Sequence, residues 1–227
     1  MEMLRHGYGA MRAARKFWGQ ILAVLLLWPA ITVADPVKIV ALGDSLVHGY
    51  GLEQGDGFVP QMQAWLESHG LQAQLINAGV SGDTTTGGRE RLGWALEPGT
   101  AGLIVSLGGN DILRAIDPAV ARQNLAAILA EARAQELPVL LIGITVPPNF
   151  GADYQAEFQA IYPALSAEFG TLYYPDFLQV FTEHGDRAEN LSLWFQRDGL
   201  HPNAEGVAVI VEDMGPSVAE LVQLAGS

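Results

Sequence analysis

The sequence predicts an α/β domain in which a five-stranded parallel sheet carries helices on both faces. Short apolar runs of strand length alternate with segments whose apolar residues recur at helical spacing. The runs are continuous rather than alternating, as in strands covered on two sides. A third observation places a site. Glycine-bearing loops follow the first three strands: Gly43-Asp44-Ser45, Gly79-Val80-Ser81-Gly82 and Gly108-Gly109-Asn110-Asp111. In a parallel sheet these loops share one rim, beyond the carboxyl ends of the strands, where such folds bind ligands.

Taken in order, the first strand is predicted over 37–42. A helix over 58–69 follows, with Phe58, Met62, Trp65, Leu66 and His69 on one stripe. The second strand spans 74–78 and ends at Gly79. A weaker helix is expected over 85–96, then the third strand over 103–107. Asp117 followed by Pro118 is a helix start, an N-cap with proline at the first helical position. Ala121, Leu125, Ile128, Leu129 and Ala132 continue that helix as one apolar face. The fourth strand is expected over 139–144, a helix over 154–169 and a short fifth strand over 171–174. The last helix spans 204–224, with a kink expected at Gly215-Pro216.

Residues 1–34 are expected to be a cleavable signal peptide, leaving a domain of 35–227. Arg5, Arg12, Arg15 and Lys16 precede the apolar run FWGQILAVLLLW, which has the length of a signal-peptide core. A membrane span needs ~20 apolar residues. Thr32 and Ala34 supply small residues at −3 and −1 of a cut before Asp35, and Met11 offers a second start. The expected location is periplasmic or secreted. No cysteine is present, which excludes a lipid anchor on cysteine, a thiol nucleophile and Cys-ligated zinc. Residues 1–34 hold four of the 12 basic and one of the 25 acidic residues, so 35–227 carries 8 against 24, a net charge of −16. Such a chain repels a phosphate backbone, and nucleic acid is excluded as a partner.

Ser45 ends the first strand's loop. Alone, a serine there reads as a turn residue, because a hydroxyl needs a base before it attacks anything. His48 is too near Ser45 to be oriented by a third group, His69 continues an apolar helical face, and His184 sits in a polar loop. His201 differs, because Asp198 precedes it by three residues in QRDGLHP. That spacing can set a carboxylate on one imidazole nitrogen and leave the other for a hydroxyl. Read without function, the same residues make an Asp-Gly turn and a helix-capping His. Acyl transfer also needs donors for a developing oxyanion. Asn110, Gly79 and the N–H of Ser45 are candidates, although Asn110 also suits an Asx-turn and Gly79 a simple turn.

The segments G43-D-S-L46, N77-A-G-V-S-G82, G108-G-N-D111 and D198-G-L-H201 occur in that order. They resemble the four sequence blocks of the SGNH hydrolases, the GDSL esterase/lipase family, over about 38–212. Within that family the chain is similar to exported bacterial arylesterases and to the thioesterase I/lysophospholipase L1 group. The resemblance implies a flavodoxin-like three-layer α/β/α sandwich. It makes Ser45 the nucleophile, His201 the general base and Asp198 its orienting partner. Ser45, Gly79 and Asn110 would form the oxyanion hole. It implies no metal and no cofactor. Val47-His48 stand where many relatives have a smaller Thr-Ala pair, which bears on the mouth of the site. The G-x-S-x-G elbow of α/β-hydrolases is absent.

The expected activity is hydrolysis of aryl or short-to-medium acyl esters, extending to thioesters and lysophospholipids. Leu113, Ile116, Val146, Pro147 and Trp194 are the expected substrate-binding residues. The partner expected is a small-molecule ester, with contact to a lipid substrate, and the protein is expected to be a monomer. A carbohydrate O-acetylesterase and a non-catalytic periplasmic binding module are the alternatives.

Overall fold

Five parallel strands run in the order β2-β1-β3-β4-β5: β1 Val37–Gly43, β2 Ala73–Gly79, β3 Thr100–Ser106, β4 Val139–Ile142 and β5 Leu172–Tyr174. This is the flavodoxin-like order, and the fold class expected from the sequence is the one observed. The computed structural model describes residues 35–183 and 187–227, with the side chains of 182–190 set aside. The expected signal peptide and His184 lie outside the described residues.

The central strands send alternate side chains to opposite faces, and both faces are apolar. Ile39, Ala41, Ile104, Leu140 and Ile142 point to one side. There they meet α2 (Phe58–Ser68) and the C-terminal helix Ala204–Ala225 through Phe58, Met62, Leu66, Ile210, Met214 and Val218. Val40, Leu42, Leu103, Val105 and Leu141 point to the other. Their partners are Leu92 from α3 (Thr85–Ala95), Leu125, Ile128 and Leu129 from Pro118–Ala134, and Phe158, Ile161 and Leu165 from Ala152–Phe169. Burying each such side chain is worth ~1.5–3 kcal/mol. Edge strand β2 departs from the continuous pattern: Gln74 and Asn77 are exposed while Ala73 and Leu75 are buried, as suits a strand at the edge of the sheet.

Four short helices were not foreseen. These are α1 (Ser45–His48), α4 (Gly109–Leu113), α7 (Gln179–Glu183) and α8 (Arg187–Trp194); Pro118–Ala134 and Ala152–Phe169 are therefore α5 and α6, and Ala204–Ala225 is α9. The first two follow β1 and β3, so the loops read as turns in the sequence carry short helices, the first of them capped by Asp44. Helix α9 continues through Gly215-Pro216, with Pro216 inside it. His69 caps the end of α2 and stacks on Trp65 with ring centroids 3.8 Å apart, the structural role its position suggested.

The chain leaves β1 toward β2 on one side and returns to β3 on the other. Between the tips of β1 and β3 the strand order therefore reverses, and a crevice opens. Ser45 follows one tip and Asn110 the other.

Candidate active site

Asp44 caps α1, its Oδ1 accepting the Leu46 N–H at 3.1 Å, and so orients the first residue of that helix, Ser45. His201 arrives from the far end of the chain. Its Nε2 lies 2.8 Å from Ser45 Oγ, and its Nδ1 lies 2.7 Å from Asp198 Oδ2. The other carboxylate oxygen, Oδ1, accepts the backbone N–H groups of Leu200 and His201 at 2.9 and 3.0 Å. An ionised carboxylate only accepts, so Nδ1 carries the proton and Nε2 is left to accept from the serine hydroxyl. Burial raises the Asp198 carboxyl. The N–H of Leu200, the His201 ring and the His201 N–H outweigh that and hold it at about 2.

The loop carrying His201 is tied down by its own polar groups. Gln196 N donates to His201 O at 2.8 Å, and Gln196 Nε2 donates to Pro202 O and to Tyr50 O at 2.9 and 2.8 Å. Asn203 caps α9 through Gly206 N and holds Leu193 O with its amide. The Tyr50 ring, half-exposed, lies 4.8 Å from the His201 ring, centroid to centroid.

Ser45 and His201 open onto a cavity of about 420 Å³ that crosses the tips of β1, β3, β4 and β5. Its lining is mostly apolar, with Leu46, Tyr50, Ile112, Leu113, Ile142, Ile144, Pro147, Phe177 and Leu200. Of the expected substrate-binding residues, Leu113 and Pro147 line it. Ile116, Val146 and Trp194 do not. Val146 is fully buried in the core between sheet and helices. Ile116 is half-buried and gives its carbonyl to Tyr154 Oη, and Trp194 belongs to α8, its carbonyl held by Asn203 N. Tyr50, Ile144, Phe177 and Leu200 were missed.

The expected oxyanion residues divide in the same way. Ser45 and Asn110 line the cavity, with Asn110 Nδ2 at a long 3.4 Å from Asp44 Oδ2. Gly79 does not. Its N–H is already donated to Asn77 Oδ1 at 2.9 Å, and its carbonyl lies 3.1 Å from His48 Nδ1. It is glycine because a Cβ would sit 2.3 Å from the His48 backbone nitrogen. The residue of that loop which does line the cavity is Gly82. It occupies the third position of a turn closed by Asp83 N to Val80 O at 3.0 Å, with φ +83°, the left-handed conformation that favours glycine there. Neither the Ser45 N–H nor the Gly82 N–H has an acceptor among the described residues. Both glycines stand in one hexapeptide, NAGVSG, and only the turn distinguishes them.

Asp111, next to Asn110, is fully buried. Its carboxylate accepts Thr85 N and Thr85 Oγ1 at 2.8 and 2.6 Å, which pins α4 to the start of α3. Burial raises its carboxyl, and the two Thr85 bonds oppose the rise. Among the described residues no cluster of three or more His, Asp or Glu is placed to hold a metal ion.

Comparison with known proteins matches this architecture. A family model described as the GDSL-like Lipase/Acylhydrolase family covers residues 41–209. The Esterase TesA of Pseudomonas aeruginosa is 35% identical over 185 residues, 81% of this chain and 89% of that one. The Thioesterase 1/protease 1/lysophospholipase L1 of Escherichia coli K12 is 33% identical over 203 residues, 88% of this chain and 91% of that one. Among solved structures AlinE4, an SGNH-hydrolase family esterase, is 42% identical, with a TM-score of 0.68 over 83% of this chain and 98% of its own. The chain belongs to the GDSL-like lipase/acylhydrolase family, the SGNH hydrolases, and is an ester hydrolase.

Proposed function

We propose that the protein is a serine esterase, acting on neutral, hydrophobic carboxylic esters of short-to-medium acyl chain through an acyl-enzyme on Ser45. One observation carries the reading: an unbroken hydrogen-bond chain from Asp198 through His201 to Ser45, at the mouth of an apolar cavity. Ser45 Oγ attacks the ester carbonyl carbon while His201 Nε2 takes the hydroxyl proton. The carbonyl oxygen, now negative, is met by the N–H of Ser45, the N–H of Gly82 and the amide of Asn110. Each such donor is worth ~3 kcal/mol in the transition state. The carbon–oxygen bond to the leaving group then breaks, and His201 returns its proton to that alcohol. Water, deprotonated by the same imidazole, cleaves the acyl-serine and frees the acid. Asp198 stabilises the imidazolium in both steps.

The cavity is of ordinary ligand size, and its apolar lining suits an acyl or aryl group. The names of the relatives extend the candidates to thioesters and lysophospholipids. The charge of −16 on residues 35–227 disfavours polyanionic substrates such as acyl-CoA. The same apolar lining sets this reading ahead of a carbohydrate O-acetylesterase, which would want hydrogen-bond partners for sugar hydroxyls. We also propose export, on the strength of the basic start, the apolar run and the Thr32–Ala34 cleavage pattern. An N-terminus at Asp35 in protein recovered from outside the cytoplasm is the expected result.

The deciding experiment measures p-nitrophenyl ester turnover, from C2 to C12, by the purified protein and by Ser45→Ala. The proposal expects activity that peaks beyond acetate and vanishes in the folded variant. Undiminished turnover by Ser45→Ala contradicts the mechanism, and strict acetate preference moves the assignment to the O-acetylesterase.

A further inference from the structure

Arg91 stands on α3 and is not one of the residues that line the cavity. Its three donor nitrogens reach three separate segments. Nη2 donates to Gly43 O at 2.9 Å, Nη1 to Ala78 O at 2.7 Å, and Nε to Asp83 Oδ2 at 2.7 Å. Gly43 ends β1 two residues before Ser45, Ala78 is next to last in β2, and Asp83 directly follows Gly82. The Gly43 carbonyl also accepts the Val80 N–H at 3.0 Å, and Val80 opens the Gly82 turn. The Arg91 and Asp83 side chains are only 23% and 10% exposed, so this is no solvated surface pair.

We propose that Arg91 is a positioning residue for the oxyanion pocket. It fixes the turn bearing Gly82 against the strand tip bearing Ser45, so that two donors on separate segments converge on one oxygen. The proposal rests on the serine-esterase reading above. A guanidinium suits the task because its donors are fixed in one plane, whereas an ammonium on a flexible stem cannot hold three acceptors in a set relation. The effect belongs in the transition state. An ester carbonyl binds loosely without well-aimed donors, but the oxyanion does not, and a displacement near 1 Å can cost ~10²-fold in rate. Losing the brace should therefore lower kcat and leave KM nearly alone.

The test compares the purified protein with Arg91→Lys, with Asp83→Ala and with Arg122→Met. The last removes an equally direct arginine–carboxylate pair, Arg122 to Glu168 at 2.9 Å, from an exposed site. Two quantities are read: kcat and KM for p-nitrophenyl butyrate, and the inhibition constant of a trifluoromethyl ketone, whose serine adduct carries the oxyanion. Arg91→Lys and Asp83→Ala should lose ~10–100-fold in kcat with KM within threefold, and the ketone should weaken by the same factor. Arg122→Met should match the parent. Parental kcat in both test variants overturns the proposal, as does a loss of kcat that leaves ketone affinity intact. If Arg91→Lys does not fold, Asp83→Ala decides alone, since it keeps both carbonyl contacts. If neither folds, Arg91 is a structural brace only, and the proposal falls. Failure of the underlying reading looks different: the parent protein would keep its turnover after Ser45→Ala.

Discussion

Asp44 Oδ2 and Asn110 Nδ2 face each other at 3.4 Å, joining the tips of β1 and β3 across the crevice. Asp44 is only 5% exposed, and burial pushes its carboxyl from 3.8 up to about 6, against the Leu46 N–H and the His201 ring. The folded protein thus holds this proton more tightly than the unfolded chain. The sign follows: Asp44's contribution to stability is fullest below pH ~4 and is lost as pH rises through about 6. Two units correspond to about 3 kcal/mol. Asp44→Asn keeps the helix cap and removes the titration. Urea denaturation between pH 4 and 7.5 should show the parent losing about 3 kcal/mol relative to the variant; a constant difference would contradict the assignment.

Asn110→Ala removes the amide proposed as an oxyanion donor and leaves Ser45 and His201 in place. We expect kcat to fall by ~10²–10³ with KM little changed. Steady-state kinetics on a p-nitrophenyl ester check this, and an unchanged kcat would move the donor role elsewhere.

Asp198→Asn tests the tautomer. The carboxylate fixes the proton on Nδ1, and an amide can instead donate to that nitrogen and turn the ring's proton toward Ser45. A fall in kcat of ~10⁴ is expected with an unaltered circular dichroism spectrum. Since the Asp198 carboxyl sits at about 2, its own protonation should leave no inflection in a pH–rate profile above pH 4.

Ile144 lines the cavity just past the tip of β4. Replacing it by Trp should fill that end. Octanoate turnover should drop ~10-fold or more in kcat/KM relative to butyrate. An unaltered chain-length profile would show that the acyl group lies elsewhere.

The sheet and the hydrogen-bond chain Asp198–His201–Ser45 were legible because each rests on residue type. Apolar runs of strand length such as VKIVAL, ended by a glycine turn, fit strands covered on both faces, and Asp198 and His201 are close enough in sequence to constrain one another. The cavity wall was much less legible. Val146, Ile116 and Pro147 follow strands in similar apolar company, and only the backbone path decides which side chain turns inward. The choice between Gly79 and Gly82 fails for a related reason: one needs glycine to pass the His48 backbone, the other to take φ +83°. Arg91 had no signal at all, because GGRERL reads as a solvated helical face until the carbonyls behind it are seen.

The central claim is that Ser45 becomes acylated by the substrate. Intact mass spectrometry after treatment with a fluorophosphonate, followed by peptide mapping, tests it directly. The account predicts a single adduct on the peptide bearing Ser45, abolished in Ser45→Ala and strongly slowed in His201→Ala. A folded, ester-hydrolysing protein with no adduct, or with the adduct on another residue, would contradict it.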